Sequence, residues 1–337
     1  MRRAHLTTAL LVAASLVLAG CGGGEDPSTE AAPASQQVAG STEVDATWPM
    51  TGLPVTGDEE AAQTHPVLVT KMDNTEASSP QIGLGEADLV VEELVEGGLT
   101  RLAAFFYSDI PDKNIGPVRS MRASDIGIVS PVDATVVTSG AAGRTIARIN
   151  DAGIPFYQEG DTGFTRDSSR SAPYNLFANL DQIASDATTE AARPDDYLPW
   201  GDEKDLPSGQ PAKTIAASFG GGHTTNWKFD GDGYVNENTY AAPGDEFPAD
   251  TVLVLRVEVG DAGYLDPAGN PVPETKLTGK GEAMIFHDGR LVRGTWTKSD
   301  LGSTIELSTK AGKLIVPAGH TWVELVPAVN GDVTFGK

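Results

Sequence analysis

Apolar positions along the first half of the chain fall into short runs. Val67 to Lys71, Asp88 to Glu96, Thr100 to Tyr107, Ala134 to Ser139 and Ile154 to Gln158 are rich in β-branched or aromatic residues and lie between turn-forming residues. Runs of this kind predict buried strands. Between and after them the pattern predicts helices from Ser120 to about Ser130, from Gly143 to Ala152 and from Tyr174 to Ser185. Ser120 supplies an N-cap for the first, and Pro131 stops it. Past a polar, proline-rich stretch the pattern becomes strand after strand, the best being Thr251 to Val259, Glu282 to His287, Arg290 to Lys298 and Thr321 to Val326. Turns separate them at residues 220–222, 230–233, 288–289 and 317–319. The expected class is α+β: a layered mixed α/β domain over residues 48–190, a linker over 191–211 and a small β-rich domain over 212–337.

Gly97-Gly98 between two strand runs predicts a type I′ hairpin turn. A two-residue loop sets Glu96 opposite Leu99 and Leu94 opposite Arg101, which puts Glu92, Glu96 and Arg101 on one face. Leu89, Val91, Val95, Leu102, Ala104 and Phe106 then form the core face, with Glu93 in its middle. A carboxylate there finds a partner or takes up a proton, so Glu93 reads as a structural ion pair or as a functional acid. In the run from Gly116 to Arg122, Arg119 and Arg122 straddle the predicted helix start beside Ser120. Outward N–H groups, the helix dipole and guanidinium forks all favour a carboxylate or phosphate there. Alternatively these arginines answer the acids of the hairpin. Arg166, Asp167, Arg170 and Asn175 form a third polar cluster, on a loop. Asp73-Asn74, close to Lys71, reads as a turn or as a Mg²⁺ ligand alongside substrate phosphates.

The amino terminus changes the picture of where such chemistry would occur. Arg2 and Arg3 precede an apolar run from Leu6 to Ala19, and Leu18-Ala19-Gly20-Cys21 closes residues 1–20 as a lipoprotein signal peptide with its cleavage box. The run is shorter than the roughly 18 to 20 residues that span a bilayer. Cleavage makes Cys21, the single cysteine, the first residue and the lipidation site, and two or more acyl chains there anchor a protein stably. Lipidation also takes the one thiol out of disulfide, nucleophile and metal chemistry. Residues 21–47 are small, polar and acidic and read as a disordered tether. The formal net charge of −23 becomes −25 once the two leader arginines are lost. Such acidity opposes nucleic acid and anionic lipid surfaces as partners and keeps an exported protein soluble.

Several machineries have no signature. His65, His223, His287 and His320 are widely spaced, with no HExxH, and no G-x-S-x-G elbow, S-x-x-K pair or P-loop occurs. Gly83-Leu84-Gly85 lacks the third glycine of a dinucleotide fingerprint, and the stretch from Phe229 to Gly233 lacks the third carboxylate of a calcium loop.

Lys71-Met72-Asp73-Asn74, Ala87 to Glu93, Glu96 to Arg101 and above all Gly116 to Arg122 together resemble the YerB-like family of bacterial lipoproteins, whose two halves are domains of unknown function. Arg166-Asp167, Arg170 and Ala172 to Leu176 carry the resemblance further, as do Gly294 to Lys298 and Gly319 to Val323. It implies a layered αβ first domain, a β-rich second domain and an envelope location, without an activity. The family often has His where this chain has Tyr174, which removes a general base from that position.

The leading expectation is a lipoprotein on the outer face of the cytoplasmic membrane, held through Cys21, that binds an anionic envelope ligand or a partner's carboxylates. Arg101, Arg119 and Arg122 would hold the ligand, with Glu92, Glu93 and Glu96 orienting them and no cofactor required. One alternative is a metal-assisted phosphoryl or glycosyl transferase or hydrolase, with Asp73 and the glutamates on Mg²⁺. Another is an assembly module whose β-rich domain docks a partner protein.

Overall fold

Strand runs that are apolar on both faces need cover on both faces, and the fold is organised around that requirement. The computed structural model describes residues 46–337. The leader, Cys21 and the tether as far as residue 45 lie outside the described residues. Ala46 and Thr47, expected in the tether, belong to the fold. Val55 N–H donates to the Ala46 carbonyl at 2.7 Å, Thr47 pairs with Pro54, and Trp48 is buried.

In the first half the main elements are β1 (Leu68–Asp73), β2 (Leu89–Leu94), β3 (Thr100–Phe106), α1 (Asp125–Val129), β4 (Thr135–Thr138), α2 (Gly143–Asp151), β5 (Phe156–Gln158), β6 (Phe164–Arg166), β7 (Leu176–Asn179) and α3 (Leu180–Asp186). The second half adds β8 (Thr214–Ser218), β9 (Thr224–Phe229), β10 (Thr251–Leu265), β11 (Pro271–Lys276), β12 (Gly279–His287), β13 (Arg290–Lys298), β14 (Glu306–Thr309), β15 (Gly312–Leu314), β16 (Thr321–Pro327) and β17 (Asp332–Gly336). Strands dominate and helices are few and short, so the α layer is thinner than expected.

The halves do not form separate cores. A 13-stranded sheet runs in the order β15-β14-β13-β12-β10-β16-β2-β3-β1-β4-β5, with β11 pairing β10 and the two-residue strand Gln210–Pro211 pairing β13 off that path. β16 lies between β10 of its own half and β2 of the other and is parallel to both; Val323 is opposite Leu253 on one side and Val91 on the other. One face of the sheet, with Leu89, Val91, Ala103, Leu253, Val323 and Leu325, packs on α1, α2 and the segment around Trp48 and Tyr197. The other, with Val90, Leu102, Val254, Trp322 and Val326, is covered partly by β7 and α3 and partly by a second sheet of β9, β8 and β17 with residues 234–236. Loops from the two halves also meet. A Cβ on Gly222 would lie 2.3 Å from the Gly98 carbonyl oxygen, so only glycine allows that approach.

Three local expectations are corrected. Gly97-Gly98 is not a two-residue turn: the loop is Glu96-Gly97-Gly98, closed by Val95 N–H to the Leu99 carbonyl. Glu93 therefore pairs with Arg101 and Leu94 with Thr100. A one-residue shift moves each side chain to the opposite face of a strand, which separates Glu92 from Arg101. No helix begins at Ser120, because the chain there is spent in lateral bonds: Arg119 N–H donates to the Lys71 carbonyl and Met121 N–H to the Gly140 carbonyl. The helix starts only at Asp125 and has 5 residues. The third predicted helix is strand β7 followed by α3, since Leu176–Arg166 pairing extends the chain and the Asn179 side chain then caps α3 through Gln182 N–H. Asp288-Gly289, by contrast, forms the expected two-residue turn, both residues at positive φ.

Because β16 completes the sheet of the first half, residues 46–211 alone would expose the edge of β2 and half of each core. Calorimetry is expected to show no cooperative transition for that fragment and one for the whole chain; a sharp transition for the fragment would mean an independent domain.

Candidate functional site

Strand order β2-β3-β1 lines up Glu93, Arg101 and Asp73 as a row across one face of the sheet. Side chains that share a face and a row meet. Beyond the row, the segment from Arg119 to Arg122 crosses the strand ends, and a cleft of about 470 Å³ opens between them. Arg101, Arg119, Ser120, Arg122, Glu96 and Asp73 line it, and Arg166 reaches it from β6. Tyr174 forms part of the wall, with the Arg119 guanidinium 5.1 Å from its ring centroid. The helix-start argument for this site fails with the helix, yet the arginines converge because the strands carry them.

The guanidinium groups differ in what holds them. Arg119 Nε lies 3.0 Å from Asp73 Oδ2, although its N–H is not aimed at that oxygen. Asp73 is also engaged by the Thr75 hydroxyl. Arg122 pairs with Glu96 and donates to the Met121 carbonyl at 2.8 Å. At the mouth Arg166 is bidentate on Glu159, at 2.6 and 2.7 Å, and Asn175 accepts its third bond. Arg101 has none of this. It is 8% exposed, donates Nη1 to the Ser120 carbonyl at 2.9 Å, and takes part in no ion pair among the described residues. Burial, followed by the charge of Arg122, pulls it down to about 10.

Five expected residues lie elsewhere. Arg170 is pinned to the carbonyls of Ser78 and Pro80 and stacks on Phe177, outside the cleft. Asn175 serves Arg166 and the Asp167 carbonyl. Glu93 is the structural alternative: with Asp125 it holds Lys71, at 2.8 and 2.6 Å, and all three side chains are fully buried. Burial pulls Lys71 down, but the charges of Asp125 and Glu93 outweigh it and the net shift is upward. Burial and the Asp125 charge raise Glu93 despite Lys71.

Glu92 and Asn74 belong to the opposite face. Glu92 stands beside Glu324 of β16 in the parallel register, both fully buried. Asn74 Nδ2, Thr225 Oγ1 and Trp322 Nε1 donate to Glu92 at 3.0, 2.9 and 3.2 Å, and His223 Nε2 lies 3.1 Å away. Trp227 Nε1 donates to Glu324 at 2.8 Å. Burial would raise Glu92, but the bonds and charge of His223, with Thr100 and Thr225, hold it below the usual range. Burial and the Glu92 charge push Glu324 well above it, so Glu324 is the protonated member. His223 is raised, its bond to Glu92 outweighing burial.

Sequence reasoning missed Tyr174, Glu159 and the tip of the β10–β11 ribbon, Asp266-Pro267, as cleft walls. The ribbon reaches the site by docking on α2. Arg148 is bidentate on Glu274 at 3.0 and 2.6 Å, and Thr145 Oγ1 meets the Tyr264 hydroxyl at 2.7 Å. The strand run read from the sequence ends at Val259, short of the ribbon tip, and neither the tip nor its landing point was anticipated. Asp73 is occupied by Arg119 and Thr75, which leaves little of it for a metal, and among the described residues no group of three or more His, Cys, Asp or Glu is arranged to hold one.

The body is thus built of strands, its two sequence halves sharing one sheet. The chain belongs to the DUF3048 proteins of unknown function: residues 50–193 match the N-terminal domain and residues 215–323 the C-terminal domain. A relative, the candidate lipoprotein YerB of Bacillus subtilis (strain 168), is 24% identical over 295 residues, covering 84% of this chain and 86% of its own length. The crystal structure of YerB superposes with a TM-score of 0.70 at 19% identity, over 86% of this chain and 99% of that one. Among the described residues no helix is long and apolar enough to cross a membrane.

Two substitutions test the buried charges. Lys71→Met strands two carboxylates, and a loss of about 3–5 kcal/mol in denaturant unfolding is expected. Glu324 and His223 bind protons more tightly folded than unfolded, so the stability they confer is full at low pH and is lost as pH rises through their folded values. Glu324→Gln keeps a donor toward Glu92 without the proton. Its thermal midpoint is expected to fall less than that of the parent as pH rises above 4.5, the ordinary glutamate value, and equal slopes would count against the shared proton.

Proposed function

We propose that the protein is an envelope lipoprotein, anchored through Cys21 on the outer face of the cell membrane, whose folded body binds the anionic group of a ligand or partner in the arginine cleft. The leader with its lipoprotein cleavage box and the similarity to the candidate lipoprotein of Bacillus subtilis support the location. One observation carries the binding reading: Arg101 sits at the floor of an open cleft with no carboxylate partner, while its neighbours Arg119 and Arg122 are held by Asp73 and Glu96. A desolvated cation kept without a counter-charge is costly to the fold and favourable to an anion. The roles expected from sequence are thereby redistributed: Asp73 and Glu96 orient the arginines, whereas Glu92 and Glu93 do not.

NMR titration of the purified protein with acetate and with inorganic phosphate provides the test. Shifts centred on Arg101, Arg119 and Tyr174 are expected. Arg101→Gln keeps a donor for the Ser120 carbonyl but removes the costly charge, so it should weaken binding about tenfold or more while leaving the thermal midpoint unchanged or raised. Arg122→Ala, in contrast, should lower the midpoint, because it strands Glu96. If Arg101→Gln binds as the parent does, the reading is wrong.

A further inference from the structure

The cleft's own charges narrow the ligand class. Arg101, Arg119, Arg122 and Arg166 face Asp73, Glu96, Glu159 and Asp266, so the lining is balanced. Three of the four arginines have a carboxylate within ion-pair distance in the protein: Arg119 beside Asp73, Arg122 with Glu96, and Arg166 with Glu159. That leaves one cation and one anion. Arg101 is at the floor, 8% exposed. Asp266, at the tip of the β10–β11 ribbon, is partly exposed and enters no ion pair among the described residues; its carboxylate accepts hydrogen bonds from Asn270 and from the N–H groups of its own loop, none of them charged.

Resting on the anion-binding reading above, we infer that the ligand is a zwitterion of amino-acid or short-peptide type, its carboxylate on Arg101 and its ammonium toward Asp266. A phosphate dianion or a pyrophosphate would bring two or more negative charges into a lining with one spare guanidinium, and the surplus would face the carboxylates of Asp73, Glu96 and Asp266. Like charges in a partly desolvated cleft repel strongly. A ligand with one charge of each sign leaves none unmatched. The volume, about 470 Å³, lies within the range of about 300–1,000 Å³ usual for small-molecule sites and holds a dipeptide. Tyr174 supplies an apolar wall beside Arg119 for the intervening backbone or side chain.

Calorimetric titration of the purified protein with Ala-Ala, N-acetyl-Ala-Ala, Ala-Ala amide, inorganic phosphate and pyrophosphate tests this. Ala-Ala is expected to bind most tightly. Removing its carboxylate as the amide should cost about tenfold or more, the worth of a charge-assisted bond at the floor. Acetylating its amine should cost about fivefold, the worth of a partly exposed pair. Asp266→Asn should weaken Ala-Ala to the level of its acetylated form while leaving that form unaffected, an outcome that a merely structural Asp266 would not give. Phosphate or pyrophosphate binding more tightly than Ala-Ala, or acetylation without effect, overturns the zwitterion while Arg101-dependent anion binding stands. Failure of every probe to bind overturns both.

Discussion

β16 is held by parallel hydrogen bonding on both sides, to β10 of its own half and to β2 of the other, and every residue in it is buried. A strand in that position has no free edge, and its two faces must satisfy two cores at once. Residues more than two hundred positions apart therefore become nearest neighbours. The loop-closure entropy of joining them is modest, because it grows only with the logarithm of the separation. The apolar area gained on both faces outweighs it, at about 25 cal/mol per Å² buried.

The same insertion decides which charges end up inside. Glu92 is buried because Glu324 arrives beside it with Trp322, and the second sheet then closes over both with Trp227, Thr225 and His223. Two carboxylates in contact cannot both ionise cheaply, so one keeps a proton. On the opposite face Lys71 is surrounded by Glu93 and Asp125. Both clusters are buried away from the cleft and make their strongest contacts within the fold, so they are read as parts of the structure. Their cost is offset by hydrogen bonds to nearly every polar atom; Glu93 Oε2 and Glu324 Oε2 are the carboxylate oxygens left without one.

At the strand ends the cover stops and the arrangement changes. Arg101 shares its row with Glu93 and Asp73, yet Glu93 is taken by Lys71 and Asp73 by Arg119. The unpaired guanidinium is thus a consequence of who reaches each acid first. The ribbon of β10 and β11 adds an acid to the mouth only because α2 offers Arg148 and Thr145 as a landing point.

Alternating or continuous apolar runs predicted most strands of the large sheet to within a few residues, because strand burial is written locally, and Asp288-Gly289 announced its turn through the positive φ it requires. Arg101, Arg119, Arg122, Glu96 and Asp73 were legible as chemistry-bearing residues for the same reason: charge inside or beside an apolar run is unusual wherever it occurs. The helix expected at Ser120 failed because lateral bonds to Lys71 and Gly140 claimed N–H groups that local propensity had assigned to a helix. Glu92 was misplaced by one residue of loop length, which neither glycine could signal, since three-residue and two-residue loops both accept positive φ. What the chain determined by itself was the set of strands and the pool of charged groups. Which of those groups neutralise one another, and which are left in the cleft without an ion-pair partner, depended on contacts between residues 71 and 125, 92 and 324, and 148 and 274. Pairing across such separations is settled by the geometry of a shared sheet, which no local pattern encodes.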